Sequence, residues 1–116
     1  MTAHRVSNLA PRERARIRLE AIDLRAEDDE ISLLRKARLL KTVSADLHLA
    51  ASRAAGSGAV GETAGRLQEM ERCLKSVLLA DGGLPRDDLQ RLVGHALEQA
   101  RRAVHVVECP EPARLP

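Results

Sequence analysis

The sequence predicts an all-α fold, an antiparallel helical bundle of three to four helices, from its residue types and from the spacing of its apolar positions. Leu and Ala each occur 18 times, whereas Val occurs 8 times and Ile 3 times, and this composition favours helices over strands. Apolar residues recur at three- and four-residue intervals, as on one face of an amphipathic helix. Because Leu and Ala alone make a thin core, a second copy of the chain would bury the remaining apolar faces, and homodimerisation is one expected arrangement.

The chain of 116 residues has the length of a single domain. We expect residues 1–10 to form a flexible N-terminal arm, residues 11–108 to form the helical domain, and residues 109–116 to form a Pro-rich flexible tail. The N-terminus lacks an apolar stretch of signal-peptide length, and no window approaches the roughly 18 apolar residues of a membrane span. These features predict a cytoplasmic protein with no membrane partner.

Two helices are predicted in the first half of the chain, at about 11–27 and 29–55. The first begins at a proline, which suits the first helical turn because it has no amide hydrogen to leave unbonded. The second follows the acidic run at 27–30, where Asp28 or Asp29 is suited to cap its N-terminus. Four successive carboxylates repel one another inside a helix, so we expect two helices or one helix kinked at this run.

Two further helices are predicted in the second half, at about 62–80 and 85–108. A flexible loop over 56–65, which holds four of the seven glycines, connects the first pair of helices to the second pair. The glycines at 82–83 are typical of a helix C-cap, and Pro85 then suits the start of the last helix. The loop contains a literal match to GxGxxG, but no apolar strand precedes it, so we interpret it as a turn rather than a phosphate site.

The composition excludes several classes of function. The chain has no Phe, Tyr or Trp, which excludes aromatic cages and stacking platforms for nucleic-acid bases. Its 19 basic and 17 acidic residues give a net charge of +2, a mixture typical of a solvated helical surface. No complete catalytic constellation and no CxxC pair is present, so the sequence predicts no enzyme activity, no cofactor and no metal site. Cys73 is expected to act as a small apolar residue.

His48 is a candidate phosphoacceptor on the second predicted helix. In its length, its all-α prediction and this helical histidine, the chain is similar to histidine phosphotransfer domains. The resemblance implies that His48 accepts a phosphoryl group from a response-regulator receiver domain. In that family Lys and then Gly follow the histidine, starting three residues later, whereas this chain has Ala51 and Ser52. The cation that balances the phosphate and the glycine that opens access are therefore missing.

Five arginines in the first half are candidates for an interaction surface: Arg14, Arg18, Arg25, Arg35 and Arg38. Helical spacing puts the first three on one face, which would suit a nucleic-acid backbone or an acidic protein. Acidic residues interrupt this face, and ion pairs along a solvated helix are the commoner outcome. Nucleic acid is therefore the less favoured partner.

Taken together, these patterns predict a non-enzymatic, cytoplasmic regulatory or adaptor protein that acts through contacts with a protein partner or with a second copy of itself. Two alternatives stay open. One is phosphotransfer through His48, and the other is DNA binding through the Arg-rich first helix.

Overall fold

Four α-helices make up most of the residues that the computed structural model describes, which are 10–53, 59–80 and 83–108. In chain order the helices are α1 (Pro11–Glu20), α2 (Glu30–Arg53), α3 (Ala59–Leu79) and α4 (Arg86–Glu108). The described residues contain no strand, and the four helices pack together. This confirms the all-α class and the helical bundle. Residues 1–9 of the predicted arm and all of the predicted tail lie outside the described residues.

Helix α1 ends at Glu20 and not near residue 27 as predicted. In the connection that follows, the amide of Arg25 donates to Oδ2 of Asp28 at 2.9 Å instead of to a carbonyl one turn earlier. A short acidic side chain that binds a nearby amide in this way competes with helical hydrogen bonds. The early end also turns Ile22, which is 3% exposed, into the core.

Helix α2 begins one residue later than predicted, and its N-cap is Asp29. Oδ1 of Asp29 accepts a hydrogen bond from the amide of Ser32 at 2.8 Å, which satisfies one of the unpaired donors of the first turn. This bond lowers the pKa of the Asp29 carboxyl. One of the two predicted caps is therefore used, and α1 and α2 are separate helices rather than one kinked helix.

Helix α3 begins at Ala59, so the prediction of a loop over 56–65 is wrong from residue 59 onward, and residues 56–58 lie outside the described residues. Gly61 and Gly65 lie within the helix. A glycine inside a helix costs about 1 kcal/mol relative to Ala, but the same helix buries Leu67 and Met70, which are 1% and 0% exposed. Burying two large apolar side chains contributes about 3–6 kcal/mol and outweighs that cost.

Helices that follow one another in the chain run antiparallel. His48 in α2 meets Glu71 in α3, and Arg66 in α3 meets Gln99 in α4. Small side chains at the contacts let the helices approach closely. The core draws on every helix, and its fully buried members include Ala15, Leu33, Ala37, Leu40, Val43, Leu47, Leu67, Met70, Val77, Leu89, Val93, Ala96, Ala100 and Ala103. Within the described ranges, no helix has the combination of length and apolarity that a bilayer crossing requires.

Candidate functional site

A groove of about 460 Å³ lies between the middle of α2 and the C-terminal half of α3. Its wall is mostly apolar and includes Ala45, Leu74, Leu78 and Leu79. Leu79 is 72% exposed, the largest exposure among the large apolar residues described. We call this feature the α2–α3 groove. An apolar side chain that is this exposed to solvent beside an apolar groove is available to contact a partner.

Two lysines, Lys41 on α2 and Lys75 on α3, border the α2–α3 groove. Both are exposed, and within the described ranges neither forms an ion pair. Arg38 lies one turn before Lys41 on the same side of α2, and it is likewise exposed and unpaired there. Beyond its first residue, α2 carries one acidic side chain, Asp46, and this is buried. The border of the groove on α2 therefore presents positive charge.

His48 and Glu71 close one end of the α2–α3 groove. Nε2 of His48 lies 2.5 Å from Oε2 of Glu71, and the hydroxyl of Ser44 donates to the same oxygen at 3.0 Å. The imidazole is half exposed, as the predicted phosphoacceptor would need to be. A carboxylate against Nε2 repels an incoming phosphoryl group, however, so this contact disfavours phosphotransfer through His48.

Arg14 and Arg18 share one face of α1, as their spacing predicts, but that face meets α2. Nε of Arg14 donates to Oδ1 of Asp46 at 3.1 Å, and Nη1 of Arg18 donates to Oδ2 at 2.5 Å. The Asp46 side chain is 7% exposed. These two arginines therefore connect α1 to α2 through a carboxylate that they share.

The other three arginines of the predicted surface differ from this pair and from one another. Arg25 lies in the connection after α1, so the prediction that it shares a helical face with Arg14 and Arg18 is wrong. It is 63% exposed and donates to Asp23, and this hydrogen bond raises the pKa of the Arg25 guanidinium. Arg35 and Arg38 are exposed on α2. The structure does not give the five arginines a common role, and Arg38 is the member that lies one turn before Lys41, which borders the α2–α3 groove.

A second cluster of polar side chains lies between α3 and α4. Glu69 and Cys73 are one turn apart on α3, and Nε2 of His95 on α4 lies 3.0 Å from Oε2 of Glu69. One ligand atom from each of the three residues lies within 4.8 Å of the others. Hydrogen bonds from Arg72 and His95 lower the pKa of the Glu69 carboxyl, and burial raises the pKa of the Cys73 thiol. The sequence predicted Cys73 as a small apolar residue, and the packing of α3 against α4 supplies its histidine neighbour.

Neither Lys75 nor the cluster around Cys73 was identified from the sequence. The signal that would have found the cluster is the register of the α3–α4 hairpin. Folding the chain back at Gly83 places positions near 95 opposite Cys73, because the two lie at similar distances from the turn. His105 is exposed near the end of α4, and Cys109, four residues further along the chain, lies outside the described residues.

No family model matches the sequence, and comparison with curated proteins and with solved structures gives no match either. A helical bundle is compatible with many functions, so the functional argument comes from the geometry and charge of the site.

Proposed function

We propose that this protein is a non-enzymatic, cytoplasmic adaptor whose α2–α3 groove binds an acidic amphipathic helix of a protein partner. The observation that supports this proposal is the apolar wall of the groove, bordered by Lys41 and Lys75 without acidic partners within the described ranges. An amphipathic helix that lays its apolar face into such a groove is a recurring mode of recognition. Acidic residues beside that face would compensate the two lysines and Arg38.

The length of the groove sets the spacing of the anchors that it accepts. Its lining spans residues 41–48 of α2 and 71–79 of α3, which is about 12 Å along a helix axis. Apolar residues at positions i, i+3 or i+4, and i+7 of a bound helix cover about the same distance. The partner therefore needs two turns with three apolar anchors, flanked by Asp or Glu.

A second copy of this chain is a poorer occupant. In a symmetric dimer the same patch of each subunit meets itself, so the lysines of one groove would face those of the other. Like charges brought together at an interface disfavour the contact. We therefore assign the groove to a different protein, and self-association is one outcome that the experiment can reveal.

The test uses a designed, fluorescein-labelled peptide of about 16 residues, long enough to form a helix, with Leu at i, i+3 and i+7 and Glu beside them. Fluorescence anisotropy should show saturable binding that weakens as salt is added, because the attraction includes charge. Amide chemical-shift changes should centre on Ala45, Leu74 and Leu78. The double variant Lys41→Glu/Lys75→Glu should bind the peptide about tenfold more weakly or worse.

Two controls separate the groove from general charge. Arg12→Glu/Arg101→Glu reverses two exposed arginines on other helices and should leave the affinity within about twofold. A peptide with Lys in place of Glu should not bind. Equal affinity for both double variants, or shift changes away from the groove, would overturn the proposal. If the protein dimerises as its concentration rises and Leu79→Asp abolishes the dimer, then the groove binds a second copy of the chain and not a different protein.

A further inference from the structure

The α3–α4 cluster is independent of the α2–α3 groove and brings together three kinds of metal ligand. Glu69 and Cys73 lie one turn apart on α3, and His95 faces them from α4. The thiol comes from the buried side, since Cys73 is 1% exposed. The carboxylate and the imidazole stand at the surface, with side chains 34% and 45% exposed. A small ion can therefore approach from solvent while the sulfur is fixed by the core.

We propose that Glu69, Cys73 and His95 form a binding site for Zn²⁺, with one coordination position open to water. Zinc accepts thiolate, imidazole and carboxylate ligands at bond lengths of about 2.0–2.3 Å, which puts the ligand atoms of a tetrahedral site about 3.3–3.8 Å apart. The three atoms here lie within 4.8 Å of one another, so rotations of the surface side chains bring them to that spacing. Mg²⁺ and Ca²⁺ prefer sites made of oxygen, and a sulfur ligand selects against them.

Binding requires the thiol of Cys73 to lose its proton. As the zinc–sulfur bond forms, this proton passes to the buffer, and the charge of the metal stabilises the thiolate. Glu69 gives up no proton at neutral pH, because a glutamate carboxyl is ordinarily ionised there. Nε2 of a neutral His95 supplies the third ligand atom, in place of its contact with Glu69.

Arg72 competes with the metal for Glu69. Its Nε donates to Oε1 of Glu69 at 3.1 Å, and Nη2 contacts Oε2. Its side chain is 65% exposed, so it can turn into solvent when the carboxylate binds zinc. Because of this contact, removing Arg72 should strengthen zinc binding, whereas removing a ligand should weaken it.

The test uses the full chain with Cys109→Ser, which removes the second thiol of the sequence. Cobalt(II) is the spectroscopic probe, and zinc affinity is measured by competition with a chromogenic chelator. Cobalt should give a thiolate charge-transfer band and visible bands of four-coordinate metal at one equivalent. His95→Gln and Glu69→Gln should each weaken zinc binding by more than about tenfold. Mutation of a residue that only supports a metal ligand already costs about tenfold or more in affinity, and loss of a ligand should cost at least as much. Arg72→Gln should strengthen it about two- to fivefold, the equivalent of one exposed ion pair.

The control is His48→Gln, since His48 has a similar contact with a glutamate, Glu71, but no thiol nearby. It should leave zinc affinity unchanged. Cys73→Ser should abolish the charge-transfer band, with circular dichroism to verify that the helices are retained. If this buried variant unfolds, the two surface variants, His95→Gln and Glu69→Gln, decide. No cobalt band, a band that survives Cys73→Ser, or zinc affinity unaffected by His95→Gln would overturn the site.

Discussion

The α1–α2 interface and the α2–α3 groove contain the same kinds of side chain, arginine or lysine beside leucine and alanine, but use them differently. At the α1–α2 interface, Arg14 and Arg18 converge on Asp46, whose side chain is 7% exposed. At the α2–α3 groove, Lys41 and Lys75 have no acidic partner among the residues described. At the first interface both arginines are thus paired with a carboxylate within the protein, whereas at the second the lysines remain available to a partner.

The comparison shows that the role of a basic residue depends on the helix opposite to it. A carboxylate that is buried beside two arginines compensates them and fixes the angle between two helices. A lysine beside an apolar groove contributes little to the fold, because its charge stays in water. Mutations at the α1–α2 interface should therefore lower stability, whereas mutations at the α2–α3 groove should lower the affinity for a partner.

The largest effect is expected for Asp46→Ala at the α1–α2 interface. The substitution removes the acceptor that the partly buried guanidinium groups of Arg14 and Arg18 share, and the free energy of unfolding should fall by about 2–3 kcal/mol. Urea unfolding followed by circular dichroism measures it. Asp23→Ala is the control, because Asp23 pairs with Arg25 at the surface and should cost less than about 0.5 kcal/mol. Equal losses in the two variants would contradict a structural role for Asp46.

Asp28→Asn should change the acid limb of the stability curve. Oδ2 of Asp28 accepts from the Arg25 amide and from Lys36, and these bonds lower the pKa of the carboxyl below 3.8, the ordinary value. Because the folded pKa is the lower one, the contribution to stability is complete above the unfolded pKa and is lost as pH falls through the folded value. As pH is lowered from neutral to below 3.8, the urea midpoint of the wild type should therefore fall more steeply than that of the Asp28→Asn variant.

The control for this experiment is Asp87→Asn, since Asp87 is 91% exposed and should leave the shape of the curve unchanged. Parallel pH curves for wild type and Asp28→Asn would show that this carboxylate does not hold the α1–α2 connection.

Gly65→Ala should stabilise the protein, because Gly65 lies inside α3 and a Cβ there meets no atom within 4 Å. Alanine is favoured over glycine in a helix by about 0.5–1 kcal/mol, and the melting temperature measures the gain. Gly94→Ala is the matched comparison, since its Cβ would lie 3.3 Å from Cδ2 of Leu24 and should gain less. A loss of stability on Gly65→Ala would mean that the first turns of α3 are not helical.

The smallest effect on stability is expected for Leu79→Ser in the α2–α3 groove. Leu79 is 72% exposed, so the free energy of unfolding should change by less than about 0.5 kcal/mol. Affinity for the acidic peptide should nevertheless fall severalfold, because an apolar contact is removed. Leu49→Ser on the outer face of α2, where the side chain is 47% exposed, should leave that affinity unchanged. If the two variants bind the acidic peptide with identical affinities, Leu79 is not part of the binding surface.

Local rules explain why much of the fold follows from the sequence. The Leu- and Ala-rich composition and the apolar spacing determine helices, since they set which residues share a face. A short acidic side chain determines the start of α2, because Asp29 lies beside the amide that it binds. The first turn of α4 holds Asp87 and Asp88, as the helix dipole favours. Each of these depends on residues within one turn of each other.

The remaining features depend on residues far apart in the chain, so only the tertiary structure decided them. Packing extended α3 through Gly61 and Gly65, because the burial of Leu67 and Met70 outweighs the preference of glycine for loops. The sequence marked Cys73 as a small apolar residue, and the register of α3 against α4 placed His95 beside it.

The arginines show the same division. The sequence alone determined that Arg14 and Arg18 share a helical face, because a spacing of four residues is one turn. The opposing helix decided what that face does, since Asp46, 28 residues beyond Arg18, accepts hydrogen bonds from both arginines. The lysines of the α2–α3 groove form no ion pair among the residues described, because the carboxylate in the groove lining, Glu71, is bound by His48 and Ser44. Helical periodicity is a property of the chain, whereas the neighbour of a charge is a property of the packing.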